Sequence, residues 1–366
     1  MKAVKDTAIR SVTVSAYTVP TDSPESDGTL AWDKTTLVLV ELEAGGRVGI
    51  GYTYSGVATA RLLQDKLIPL LEGVDALAIA ARWWEMQVVV RNLGRFGLAA
   101  AAISAVDTAL WDLKGKLLEL PLVTLLGQYH ADMMIYGSGG FTAYTHRELS
   151  SQLGGWAEQG LLAVKMKVGR EPHRDAERVG CARDAIGSGV QLFVDANGAY
   201  ARKQALEKAE VFSAHGVNWF EEPVSSDDLE GLRMVRDRAP SGLEVSAGEY
   251  GYVPVDFRRM LESGSVDVLQ VDATRCMGIS GFLRVTALSD AFHIPLSTHT
   301  APALHLHPAC ATRGVRHMEW FHDHVRIERM LFDGFVEPAR GRLRPDRSRP
   351  GLGLTFRHRD AERFAV

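Results

Sequence analysis

Short apolar segments, each closing on a charged or polar residue, recur about every 20–30 residues through the later part of the chain, the spacing of strand–helix units in a barrel. In order they read AVKMK, LFVDAN, VNWFEEP, EVSAGE, VLQVDAT, PLSTHT and RHMEW. They end on Lys165 and Lys167, Asp195, Glu221, Glu249, Asp272, His299 and Glu319. MMIYG precedes them, so eight strands are expected from about residue 131. Between them lie stretches such as RKQALEKAEVFSAHG and PVDFRRMLESG, whose apolar positions return at three to four, the helical period. Eight parallel strands with crossover helices close a barrel, and a barrel of this kind carries its chemistry at the C-terminal ends of its strands.

The first third has a different pattern. Residues 9–19 and 35–50 alternate apolar and polar like antiparallel strands, with Gly45-Gly46 as a hairpin turn. The polar stretch TDSPESDGTLAWDKT between them is expected to be a loop, either a connection or a lid bearing Trp32. Residues 58–127 read as helices, ending in AVDTALWDLKGKLLELP. Strands followed by helices without alternation indicate an α+β domain distinct from the barrel. The expected division is a capping domain over 1–128, a barrel over 129–325 and a Pro/Gly/Arg-rich segment over 326–366 that packs back on the cap.

Composition narrows the partners. A hydrophobic share of 46% supports a large core, and a formal net charge of −4 gives no footprint for nucleic acid or an acidic membrane surface. A small-molecule substrate is therefore expected. Three scattered cysteines, Cys181, Cys276 and Cys310, argue for a reducing compartment. No segment has the apolar length of a membrane span, and the opening residues alternate instead of forming a leader's apolar core, so a cytoplasmic protein is expected.

Taken together, the helix AVDTALWDLKGK with the following LLG, the paired Lys165 and Lys167, DANG at 195–198, EEP at 221–223, AGE at 247–249, Asp272, His299, Glu319 and the tail PGLG resemble the enolase superfamily, in its mandelate racemase-like subgroup. The resemblance runs over nearly the whole chain. Gln128 departs from it, standing where a second glycine often follows LLG. The fold implied is α/β: a modified TIM barrel of the (β/α)7β type with an N-terminal α+β capping domain completed by the C-terminal tail. A homo-oligomer, often an octamer, is implied as well.

Elementary chemistry gives the same site a sense. Asp195, Glu221 and Glu249 end successive strands, and three converging carboxylates repel one another unless a cation sits among them. An all-oxygen set selects Mg²⁺. The resemblance assigns the ligand to the first Glu of EEP and leaves Glu222 as an outer partner. Lys165 and Lys167, two apart on a strand, face the same way, and two adjacent ammonium groups are expected to lower each other's pKa. The resemblance makes Lys167 the base on one substrate face and Lys165 the neighbour that tunes it and contacts the substrate carboxylate. Asp272 holding one nitrogen of His299 would leave the other as acid or base. Glu319 resembles the acid that steadies a developing enolate. Asn197, Trp32 and Tyr54 are expected to contact substrate. His305 and His307, within a helix-like segment, are expected in packing or rim roles and not as a zinc pair. His317, His322 and His324 are expected on a solvated face or a subunit contact.

The implied reaction is abstraction of a proton α to a carboxylate, giving an enediolate. Dehydration of an acid sugar to a 2-keto-3-deoxy acid is expected because the resemblance implies that class most often and because the stretch at 20–33 is polar. Racemisation or epimerisation of a 2-hydroxy acid of the mandelate type is the alternative. A Schiff-base aldolase would leave the three acids without a purpose.

Overall fold

The computed structural model describes residues 6–366. The first five residues assigned to the capping domain lie outside the described residues. Strands β1 (Ser11–Ser26), β2 (Ala31–Ala44) and β3 (Arg47–Tyr54) form an antiparallel sheet in the order β1-β2-β3. The helix Leu98–Leu118 lies across it with most of its length buried. Small residues permit the approach: a Cβ on Gly51 would stand 2.1 Å from the Ala105 carbonyl oxygen.

Eight parallel strands follow: β4 (Met133–Gly139), β5 (Ala163–Lys167), β6 (Gln191–Asp195), β7 (Val217–Glu221), β8 (Glu244–Ala247), β9 (Val268–Val271), β10 (Leu296–Thr298) and β11 (Val315–Phe321). Pairing of β11 with β4, Glu319 opposite Tyr136, closes the ring. One helix fills each of the seven connections, so the barrel is (β/α)7β and matches all eight strands read from the apolar pattern. The helix His146–Glu158 shows why such connections form. Thr145 and Glu148 make a reciprocal capping box, and Leu149, Leu153 and Trp156 present one buried face to the strands. Strand side chains alternate between this outer layer and the barrel axis. Val164 and Met166 of β5 join the outer core, while Lys165 and Lys167 face the axis below the mouth.

The polar stretch at 21–35 is not a loop. β1 and β2 continue through it as a hairpin that turns at residues 27–30, where Asp27 Oδ1 accepts from the backbone N–H groups of Thr29 and Leu30, both at 2.6 Å. Alternation fails to announce these strands because their outer ends are covered by polar groups of the barrel and not by an apolar face. Glu25, Ser26 and Asp27 are buried there. Ser26 Oγ meets Thr142 Oγ1 at 2.6 Å, and Thr142 Oγ1 donates to the Asp27 carbonyl. A Cβ on Gly28 would lie 2.4 Å from the Ala196 carbonyl and 2.8 Å from that of Val168, so the tip rests directly on the loops that follow β5 and β6.

The helix His322–Leu331 follows β11 across the expected boundary at residue 325. Beyond it the tail returns to the cap: Leu352 N–H donates to Asp112 at 2.7 Å, and Leu122 N–H donates to the Gly351 carbonyl at 2.7 Å. Among the described residues no helix is long and apolar enough to cross a membrane.

A second link joins cap and barrel. Tyr52 of β3 donates to Glu328 Oε1 at 2.6 Å, and Ala303 N–H donates to Glu328 Oε2 at 3.0 Å. Burial pushes the Glu328 carboxyl up from 4.5 to about 8, the Tyr52 hydrogen bond opposing it only in part. Its folded pKa thus lies above its unfolded one, so its stabilisation is full below the ordinary carboxylate pKa and is lost as pH rises through about 8. Replacing it by a group that stays neutral removes that loss. Relative to wild type, the melting temperature of Glu328→Gln should therefore improve as pH is raised from about 5 to about 9; a difference that stays constant across that range would contradict the assignment.

Candidate active site

The register of the ring assembles the site. Lys167 stands opposite Asp195 between β5 and β6, and Asp195 opposite Glu221 between β6 and β7, so one layer at the barrel mouth presents a cation and two acids side by side. Glu249 follows β8 by two residues and joins them. Ligand atoms of Asp195, Glu221 and Glu249 lie within 4.8 Å of one another, and all three residues are buried. Trp219, two residues before Glu221 on the same face of β7, donates its indole N–H to Glu221 Oε2 at 3.0 Å.

Three buried negative charges at this separation are mutually destabilising. Burial and the charge of Asp195 push Glu221 up to about 8. Glu222, whose backbone φ is 39°, is likewise raised by burial and by Glu249, and its Oε1 has no hydrogen-bond partner. Burial works upward on Glu249 too, but the charges of His299 and Arg275 hold it well below its ordinary range. The donor set is all oxygen and its charge is uncompensated within itself, which suits a hard divalent cation.

The lysines answer the same charge. Lys165 Nζ lies 2.7 Å from both Glu221 oxygens and 2.8 Å from Glu319 Oε1. Lys167 Nζ bonds to Asp195 Oδ2 and reaches Asn197 Oδ1 at 3.1 Å. The expected mutual lowering does not prevail in this arrangement. Burial does act downward, and each ammonium does repel the other, but the carboxylates in direct contact lift both lysines above their ordinary value.

Across the ring, β9 stands four strands from β5. Asp272 Oδ2, just beyond β9, meets His299 Nδ1 at 2.8 Å, and His299 Nε2 faces Glu249 Oε2 at 3.3 Å. Burial disfavours the charged ring, but Glu249 and the Asp272 hydrogen bond outweigh it and lift His299 to about 9. Glu319, which ends its carboxylate on Lys165, also accepts from Thr300 N–H at 2.7 Å. The sequence reading missed Arg275, whose Nη1 donates to the Glu249 carbonyl at 3.1 Å and whose Nε lies 3.5 Å from Asp272 Oδ2. Its place three residues after Asp272, in the turn TRC, was the available signal.

Tyr54 is brought to this side, stacked on His324 with ring centroids 3.4 Å apart and its hydroxyl buried without a partner. Trp32 sits at the hairpin tip, donating to Glu25 at 2.7 Å and edge-on to Phe141. Asn197 lines a cavity of about 770 Å³ together with Glu222, Tyr250, Tyr252 and Phe96, which opens from the acidic side of the mouth.

The remaining histidines are structural or closer to the site than expected. His305 takes the Ala273 N–H on Nε2 at 2.8 Å and approaches the Thr300 and Ala301 carbonyls with Nδ1 at 3.0 Å, tying together the two loops that carry Asp272 and His299. His307 accepts from Val123 N–H at 3.0 Å. His317 and His324 are buried, against the expectation of a solvated face. His317 lies inside the barrel against Tyr136, Phe193 and Trp219, since it alternates with residues that face the helices.

A parallel eight-strand ring with an acidic triad, two lysines and a His–Asp pair at its mouth defines an enolase-type barrel. The comparisons agree. Residues 148–361 match the family described as Enolase C-terminal domain-like, and residues 9–127 match the Mandelate racemase / muconate lactonizing enzyme N-terminal domain. The chain belongs to the mandelate racemase/muconate lactonizing enzyme family of the enolase superfamily. It is 32% identical to a 3,6-anhydro-alpha-L-galactonate cycloisomerase of Streptomyces coelicolor over 98% of this chain and 99% of that one. A mandelate racemase/muconate lactonizing enzyme-like protein from Rubrobacter xylanophilus superposes with a TM-score of 0.96 at 54% identity, covering 98% of this chain and 100% of the other. The L-talarate/galactarate dehydratase of Salmonella typhimurium, liganded with Mg and L-lyxarohydroxamate, superposes with a TM-score of 0.91 at 27% identity, covering 100% and 95%. This chain is accordingly an enzyme of the general enolase type, and its cofactor is Mg²⁺. Asp195, Glu221 and Glu249 would hold the ion, which supplies positive charge beside a substrate carboxylate.

The Trp219 indole orients one of these carboxylates from outside the donor set. Trp219→Phe should weaken Mg²⁺ binding by about 10-fold or more, as loss of an outer hydrogen bond to a ligand typically does. Calorimetric Mg²⁺ titration of the folded variant checks this, and unchanged affinity would show that the indole plays no part in orienting Glu221.

Proposed function

We propose that this enzyme dehydrates an acid sugar to a 2-keto-3-deoxy acid. Lys167, which becomes neutral when a cation held by the triad offsets the Asp195 charge that otherwise keeps it protonated, takes the proton α to the substrate carboxylate, and the electron pair of that C–H bond passes into an enediolate. Lys165 and Glu319 bracket the carboxylate end. As the C–O bond at the β carbon breaks, His299, held by Asp272, gives its Nε2 proton to the departing hydroxyl, which leaves as water. The resulting enol tautomerises to the keto acid. The Asp272 hydrogen bond to Nδ1 suits this role, because it favours the protonated ring and leaves Nε2 to donate.

The observation that favours elimination over racemisation is the polar roof. Thr29 at the turn of the β1–β2 hairpin lines the cavity beside Asn197 and Glu222, with Glu25, Ser26 and Asp27 buried behind it, a surface suited to hydroxyls and not to an aryl ring. A second reading shares the same first step. Relatives named for cycloisomerisation of an anhydro sugar acid and of a sugar lactone support it: in this reading the departing oxygen belongs to a ring, so that the ring opens or rearranges and no water is lost.

The test is incubation of the Mg²⁺-loaded enzyme in deuterated water with acid sugars, their lactones and their anhydro forms, followed by NMR. The expected result is a 2-keto-3-deoxy acid from an open-chain sugar acid. Lys167→Ala should lower the rate by about 10²–10⁴-fold, the range of a lost general base. His299→Asn should lose product while still exchanging the α proton for deuterium. Ring opening without water loss selects the cycloisomerase reading, and exchange with inversion and no keto product selects racemisation or epimerisation.

A further inference from the structure

Beside the mouth, a second group of metal-ligating side chains gathers where the hairpin meets the C-terminal end of β11. Between Pro20 and Glu25 the pairing of β1 with β2 slips: four residues, Thr21 to Pro24, face the single residue Asp33. This bulge carries Asp22 across to His322, the first residue of the helix after β11, whose Nε2 lies 2.9 Å and 3.2 Å from the two Asp22 oxygens. Glu25 completes the group: ligand atoms of Asp22, Glu25 and His322 lie within 4.8 Å of one another.

Glu25 is the unusual member. It is only 1% exposed, its Oε2 accepts from the Trp32 indole at 2.7 Å, and its Oε1 is buried without any partner. A buried carboxylate oxygen left without a donor is a defect that a bound group would repair. The nearby Arg326 makes no hydrogen bond to it: its Nη2 is given to Asp323 at 2.7 Å and to the Pro20 carbonyl at 2.5 Å, and its buried Nε has no partner either. Asp323 adds a further negative charge near Glu25, and burial together with Asp323 pushes the Glu25 carboxyl up to about 8. A cation would relieve this, and the half-exposed Asp22 leaves a route for it to enter.

We infer that Asp22, Glu25 and His322 form a second divalent-metal site, distinct from the acidic triad, that binds a transition ion of the Zn²⁺ class and clamps the hairpin to the barrel. One imidazole nitrogen and two carboxylates favour an ion that accepts nitrogen over Mg²⁺, whereas the triad is all oxygen. His322 would turn its Nε2 lone pair from Asp22 to the ion, with the proton on Nδ1. Two of the ligands stand on the hairpin and one on the barrel, so occupancy fixes the position of the roof above the mouth.

The experiment loads the full chain with millimolar Mg²⁺, adds Zn²⁺ or Co²⁺, removes unbound metal and counts bound ions by elemental analysis, with the Co²⁺ visible spectrum as a second readout. Wild type should retain one equivalent of transition metal beside Mg²⁺ and should melt at a higher temperature in its presence. His322→Gln and the milder Asp22→Asn should lose that equivalent and the thermal shift, while Asp195→Asn keeps both. Melting in Mg²⁺ alone establishes that each variant is folded. Absence of an extra equivalent in folded wild type overturns the inference. So does an equivalent that survives in His322→Gln and Asp22→Asn but vanishes in Asp195→Asn, since the ion would then be displacing Mg²⁺ from the triad.

Discussion

Three carboxylates buried within 4.8 Å of one another set the terms for everything around the barrel mouth. Like charges in a poorly solvated site cannot all stay ionised without compensation. Each neighbour can be understood as part of that compensation. Lys165 spans Glu221 and Glu319, Lys167 holds Asp195, and His299 and Arg275 face Glu249. The same groups are the ones an enolate reaction needs, because a site that tolerates concentrated carboxylate charge also tolerates the charge that develops on a substrate carboxylate when its α proton leaves. Charge balance and chemistry are therefore one arrangement, with Mg²⁺ as the term that completes it.

The cap is coupled to this arrangement through polar contacts. Gly28 seats the hairpin tip on the backbone of the loops after β5 and β6, and Thr142 binds both Ser26 and Asp27. Tyr52 and Glu328 make a second tie on the far side. Hydrogen bonds of this kind give direction at modest net energy, so the roof is positioned without being fused to the barrel.

Much of this was legible along the chain. Each barrel strand is a run of apolar residues buried on its outer side, and each functional residue closes such a run, so strand identity and functional position were encoded together. DAN, EEP and AGE needed no tertiary information to be recognised as a set. The hairpin tip was misread because Asp27, Ser26 and Glu25 are buried by polar contacts, and hydrophobic periodicity is blind to that kind of burial. Arg275 was missed because an arginine in a turn carries no signal until Glu249 and Asp272 are seen on either side of it.

The amino-acid order by itself determined the eight-strand barrel, the composition of its mouth and the demand for a hard cation, because these follow from local periodicity and from donor type. Tertiary structure alone decided the electrostatic balance. Whether two lysines depress each other or are lifted by acids depends on distances across strands that no local pattern records, and here the carboxylates are the nearer partners. It also decided the fate of His317: this residue lies in a strand run like those that end in functional residues, and only closure of the ring turns it into the barrel interior against Tyr136, Phe193 and Trp219.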